Sequence, residues 1–108
     1  MERRLLTLVA ILCVSAALVA QAPRAVGRVQ SRNGYGLSGC QLDFFFNDGR
    51  DPLSYRVYTD QGGTFFIDAA RPGPYLVVIL QGGRRFDVHL TVSNDQRRFF
   101  PEVLEVPW

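Results

Sequence analysis

Beyond Pro23 the chain is broken by Gly, Asn, Asp or Pro so often that only short segments fit between the breaks. Those segments alternate in polarity with a period of two, which is the pattern of half-buried strands. Residues 25–30 form the first, followed by the turn Ser31-Arg32-Asn33-Gly34. Residues 39–46 place Cys40, Leu42, Phe44 and Phe46 on one face and Gln41, Asp43 and Phe45 on the other. Residues 55–59 and 64–68 flank Asp60-Gln61-Gly62-Gly63, a hairpin turn with glycine at hand for a positive φ. Residues 75–80 are apolar on both faces, as befits a strand covered from both sides. Residues 84–92 turn Phe86, Val88, Leu90 and Val92 inward. Residues 97–106 hold Pro101, which confines that segment to an edge or splits it. Seven strands at this spacing predict an all-β, two-sheet sandwich.

The N-terminus reads differently. Met1-Glu2-Arg3-Arg4 is a short basic start, and the uncharged apolar run from Leu5 to Ala20 ends among small residues. That order is the anatomy of a secretory signal peptide, a helix expected over residues 1–22, with the domain over 23–108. Ala20-Gln21-Ala22 fits the cleavage pattern, while Pro23 beyond it is unfavourable and makes a cut after Ala20 the competing site. An uncleaved anchor is the alternative, although a span wants about 20 apolar residues and this run is shorter. Export leaves roughly 85–88 residues, secreted or periplasmic, with no stable membrane span. Cys40 is then the single cysteine, buried as a small apolar residue or paired with another chain. The cut chain has ten Arg against nine acids, too even a balance for a nucleic-acid surface.

The turns carry a family resemblance through most of the mature chain. Val26-Gly27-Arg28-Val29, Gly36-Leu37-Ser38-Gly39-Cys40-Gln41-Leu42, Thr59-Asp60-Gln61-Gly62-Gly63-Thr64-Phe65 and Arg71-Pro72-Gly73-Pro74-Tyr75-Leu76-Val77 follow in order. Together they resemble the carboxypeptidase regulatory-like domain, a transthyretin-like (prealbumin-like) Greek-key sandwich whose superfamily includes carbohydrate-binding folds. The resemblance implies structural roles at Asp60, Gly63, Phe65, Pro72, Gly73 and Tyr75, and no cofactor. It also puts Cys40 where the family usually has Val, a core position. Residues 47–54 and 99–108 depart from the pattern.

Chemistry is sparse in this sequence. His89 is the single histidine, on the polar face of its strand. Ser93, His89 and Asp87 make a triad on paper, but no nucleophile elbow frames the serine, so no catalytic residue is assigned. Asn47-Asp48-Gly49-Arg50-Asp51 offers loop oxygens without EF-hand spacing, and no metal is assigned. Tyr35, Phe45, Tyr58 and Trp108 are the aromatics available to stack on a sugar. Phe45 and Tyr58 covering one another across neighbouring strands is the competing structural reading. One of the rows Leu76/Val78/Leu80 and Tyr75/Val77/Ile79 needs a cover, either the C-terminal segment or a partner. The pairs Arg84-Arg85 and Arg97-Arg98 are expected to form a shared basic patch or to be neutralised by Asp87, Asp95 and Glu102. The expectation is a non-enzymatic module binding an envelope or extracellular protein, with glycan binding as the alternative.

Overall fold

A computed structural model of the chain describes residues 22–108. The expected leader lies outside the described residues except for Ala22. Seven strands follow: β1 (Arg24–Gln30), β2 (Gln41–Phe45), β3 (Leu53–Tyr58), β4 (Thr64–Asp68), β5 (Gly73–Gln81), β6 (Arg84–Val92) and β7 (Arg98–Glu105). They hydrogen-bond in the order β3-β2-β5-β6-β7-β1-β4. The fold is all-β, and one continuous sheet stands where two separate ones were expected.

The joint in that sheet is narrow. β6 and β7 pair only at Thr91↔Phe100 and Val92↔Phe99. β7 then runs parallel to β1, with a register jump between Val26↔Arg98 and Arg28↔Val103. Pro101 falls within the jump, where a residue without an N–H removes no ladder bond. The expected edge position is therefore corrected: β7 is interior in the strand order, and it is split around Pro101. Curling at this joint brings side chains from both halves into one buried cluster.

Phe44 is the centre of that cluster. From β2 its ring packs on Tyr55 of β3 and Tyr75 of β5, with centroids 6.4 and 5.8 Å away. It also meets Phe65 of β4 and Phe99 of β7, at 6.1 and 5.9 Å. One ring thus joins both halves of the sheet. Phe65 lies over Gly27, its partner on β1, where a Cβ would come within 2.4 Å of the ring. A strand glycine serves here as the seat for an aromatic ring.

β5 is central, paired with β2 over five residues and with β6 over nine. Tyr75, Val77 and Ile79 are buried in the cluster. The C-terminal segment covers this row, since Phe99, Leu104 and Val106 join the same core. Leu76, Val78 and Leu80 form the opposite face. Val78 stands between Asp43 and Asp87 in register, and it is only 7% exposed. Asp43 and Asp87 each hold an arginine, Arg56 and Arg85. The arginine stems help to cover the valine, as long cationic side chains do on apolar surface.

Phe46 leaves the strand predicted for it and enters a tight turn, Phe46–Gly49. Asn47 and Asp48 both take left-handed backbone angles there, with φ of 59 and 55°. Phe46 packs instead against Tyr75, 5.1 Å between centroids, under the Arg71 guanidinium. Arg84-Arg85 and Arg97-Arg98 do not share a patch either. Arg84-Arg85 open β6 and Arg97-Arg98 follow the turn beyond its other end, so most of a nine-residue strand, roughly 30 Å of extended chain, lies between them.

Candidate functional site

One end of the sheet gathers the β1–β2 loop, the β3–β4 turn, the β5–β6 turn and the C-terminus. The Arg32 amide donates to the Trp108 carbonyl, and its guanidinium donates to the Pro107 carbonyl at 2.8 Å. Gln81 Nε2 donates to the Ser38 carbonyl at 2.9 Å, tying the β5–β6 turn to the β1–β2 loop. Thr59 Oγ1 accepts from the Cys40 amide and donates to the Leu37 carbonyl. Cys40 is fully buried, and burial pushes its thiol pKa up, partly offset by the Thr59 hydrogen bond. Cys40 is thus a core residue, packed among the apolar side chains of the buried cluster.

An open cleft of ≈ 400 Å³ lies on this end. Gln41, Tyr58, Leu80, Gln81 and Arg84 line it, together with turn glycines. Tyr58 is 60% exposed, and its hydroxyl reaches Gln41 Oε1 only at 3.5 Å. The Arg84 guanidinium stands 5.8 Å from the Trp108 ring centroid. Arg24, Arg56 and Arg85 hold carboxylates within 4 Å, but Arg84 has none among the described residues.

The structure therefore brings Tyr58 and Trp108 to the same end and leaves Phe45 elsewhere. Tyr58 pairs with Gln41, while Phe45 pairs with Leu53. The expected Phe45–Tyr58 cross-strand cover is not formed, because β2 and β3 run antiparallel and set the two at opposite ends of the pairing. Phe45 is half-buried and lines a second depression with Leu76, Val78 and Leu80. Tyr35 is 73% exposed in the β1–β2 loop. Trp108 is half-buried against the core.

The paper triad does not assemble. Ser93 donates its hydroxyl to Asp95, Asp87 is bound to Arg85, and His89 lies 3.6 Å from Asp48. Among the described residues no three acids, histidines or cysteines converge as metal ligands. Asp60, Gly63, Phe65 and Tyr75 hold the frame. Asp60 Oδ1 accepts from the Gly62 and Thr64 amides at 2.9 Å each, and Gly63 has φ +84°. Phe65 is then buried. Gly73 opens β5 after Pro72, and the Tyr75 hydroxyl donates to the Arg71 carbonyl at 2.6 Å.

These strands and their order form a known shape. No known family model matches the chain, and no curated protein does. Among solved structures, it is similar to a DUF3823 family protein from Parabacteroides merdae. The identity is 21% and the TM-score 0.51, over 81% of this chain and 45% of that one. This chain thus spans less than half of that neighbour, and the likeness is one of fold.

A second surface escapes a reading of the sequence alone. Val26, Phe66, Phe100 and Val103 are each about half exposed, and all stand on β4, β1 and β7. They are four of the seven large exposed apolar side chains among the described residues. Val26 and Phe66 are register partners, and Arg24 stacks 4.0 Å over Phe66 while holding Asp68. The signal was present in the alternation: if Phe65 faces the core, Phe66 must face out.

Asp43 offers a pH test of the neighbouring face. Arg56 grips it with two hydrogen bonds of 2.8 and 3.0 Å, while the Asp43 side chain is only 10% exposed. That pairing holds its carboxyl below the usual carboxylate range, against the opposing effect of burial. A depressed folded pKa adds stability above the unfolded value, and the contribution fades as pH falls through the folded one. Asp43→Asn should therefore melt lower at neutral pH and lose less between about pH 4 and pH 2. Parallel melting-temperature losses in both proteins would refute the assignment.

Proposed function

We propose that the chain is an exported, non-enzymatic module of the carboxypeptidase regulatory-like type, a β-sandwich that binds another protein of the envelope or the exterior. The observation that supports this best is the apolar group on the outer face of β4, β1 and β7: Phe66 and Val26 are register partners, and Val103 pairs with Arg28, the next outward residue of β1. An apolar centre with charged residues around it, here Arg24, Asp68, Arg28 and Glu102, is the composition of a protein interface. The narrow β6–β7 joint supports the sandwich reading, since two ladder pairs leave the halves able to stack. The expected partner presents its own apolar patch to Phe66.

Capture from a cell-envelope fraction tests the reading. A specific partner is retained by the wild-type chain and lost by Phe66→Asp, with the fold intact by circular dichroism. Equal recovery by both proteins removes this face from the proposal. Export is checked separately by N-terminal sequencing of the extracytoplasmic protein, which should begin at Gln21 or Pro23. Protein found only in the cytoplasm and beginning at Met1 would overturn export, and extracytoplasmic protein beginning at Met1 would overturn cleavage.

Glycan binding is the second reading, and the cleft beside Tyr58 favours it. An exposed aromatic face next to the Gln41 and Gln81 amides supplies stacking and hydrogen bonds together.

A further inference from the structure

The cleft beside Tyr58 contains one group that a neutral sugar does not need. Arg84 is exposed, has no carboxylate partner among the described residues, and has Trp108 as its neighbour. The other arginines of this end are engaged: Arg28 donates to the Gly34 carbonyl, Arg32 to the Pro107 carbonyl, and Arg85 holds Asp87. One guanidinium is thus available at the cleft, beside one aromatic ring and one apolar side chain, Leu80.

We infer that this cleft binds a carboxylated sugar, with Arg84 on the carboxylate and Tyr58 against the ring. The inference rests on the glycan reading and names its ligand class. A guanidinium fork matches a single carboxylate bidentately, in charge-assisted bonds stronger than neutral ones. The C–H face of a pyranose is apolar and fits Tyr58 and Leu80. Its hydroxyls meet the Gln81 amide: Gln41 is engaged, donating Nε2 to Asp43 and accepting from Tyr58 at Oε1, whereas Gln81 spends one Nε2 hydrogen on the Ser38 carbonyl. Gln81 Oε1 is left as an acceptor. Gly82 and Gly83 have no heavy atom within 4 Å of the position of a Cβ, so a ring can approach the turn backbone. A phosphorylated or sulfated polymer would call for several cations in a row, and the cleft has one.

Trp108 is the single tryptophan and stands beside Arg84, so its fluorescence reports occupancy. The protein recovered from an exporting host is titrated with a glucuronate-containing oligosaccharide and a neutral glucan of equal length, with calorimetry alongside. The acidic ligand should bind on the order of tenfold more tightly, in line with one charge-assisted pair. Its advantage should shrink with added salt and vanish in Arg84→Gln, while Tyr58→Ala weakens both ligands. Equal affinities for the two sugars, or an unchanged acidic preference in Arg84→Gln, would overturn the inference and leave the glycan reading standing. Binding of neither sugar would overturn both. Acetate competing as well as the oligosaccharide would reduce the site to a nonselective anion contact and overturn the inference as well.

Discussion

Phe44→Ala is expected to cost about 3–5 kcal/mol, enough to leave a domain of this size largely unfolded at physiological temperature if its total stability is near the usual lower bound. The ring is fully buried and touches four other aromatics drawn from both halves of the sheet. Its removal empties the place where the halves meet, and surrounding rings held on four different strands have little freedom to close the gap. Thermal unfolding by circular dichroism should show the midpoint lowered by roughly 15–30 °C. Phe65→Ala and Tyr75→Ala belong to the same class, since both side chains are buried in the cluster. Tyr75→Phe separates the ring from its hydroxyl: the bond to the Arg71 carbonyl is lost, for about 1 kcal/mol. Phe66→Ala is the control, because its ring is about half exposed on the outer face. Near-wild-type melting of Phe44→Ala would mean that the β2 register is wrong.

How much of this was legible beforehand depends on whether the cause is local. β4 and β6 have the expected limits because their alternation and flanking glycine turns are contained within a few residues. The inward row of β2 also follows from alternation, as does the burial of Cys40. What failed was long-range. Pro101 predicts an edge or a split, and the split is what occurs: β7 is interior and meets β1 in parallel through an irregular register that no local pattern announces. Phe45 and Tyr58 looked like neighbours because both face outward. Their separation depends on the β2–β3 pairing, which the left-handed Asn47-Asp48 turn sets up. Phe46 continues the alternation, yet the same turn takes it out of the strand. The Arg84 cleft draws on segments near residues 40, 58 and 81–84, so only the folded chain assembles it. Tyr58 and Trp108 are visible as aromatics, whereas the lack of a carboxylate partner for Arg84 among the described residues is not.

Gly63→Ala should be nearly as damaging as the loss of Phe44, for a different reason. Gly63 sits at φ +84°, where an alanine is strained by about 1–2 kcal/mol even in open space. Here the space is closed: an added Cβ would lie 2.5 Å from the Val29 carbonyl oxygen and 2.7 Å from the Leu37 amide nitrogen. Both are backbone atoms, joined to each other by a 3.0 Å hydrogen bond. Relief therefore requires the β1–β2 loop to move away from the β3–β4 turn, breaking the Val29–Gly63 bond of 2.8 Å. The combined cost is expected to be about 3 kcal/mol or more. Gly82→Ala supplies the comparison, since that glycine also has a positive φ, +53°, but no neighbour within 4 Å of a Cβ. It should lose only about 1–2 kcal/mol. Urea unfolding of the two variants separates backbone strain from crowding, and equal losses would show that Gly63 is needed for its φ alone. The same displacement reaches the cleft, because Thr59 ties Cys40 and Leu37 to the strand that ends in Tyr58. Gly63→Ala should thus weaken any ligand that Tyr58 holds, even under conditions where the variant remains folded.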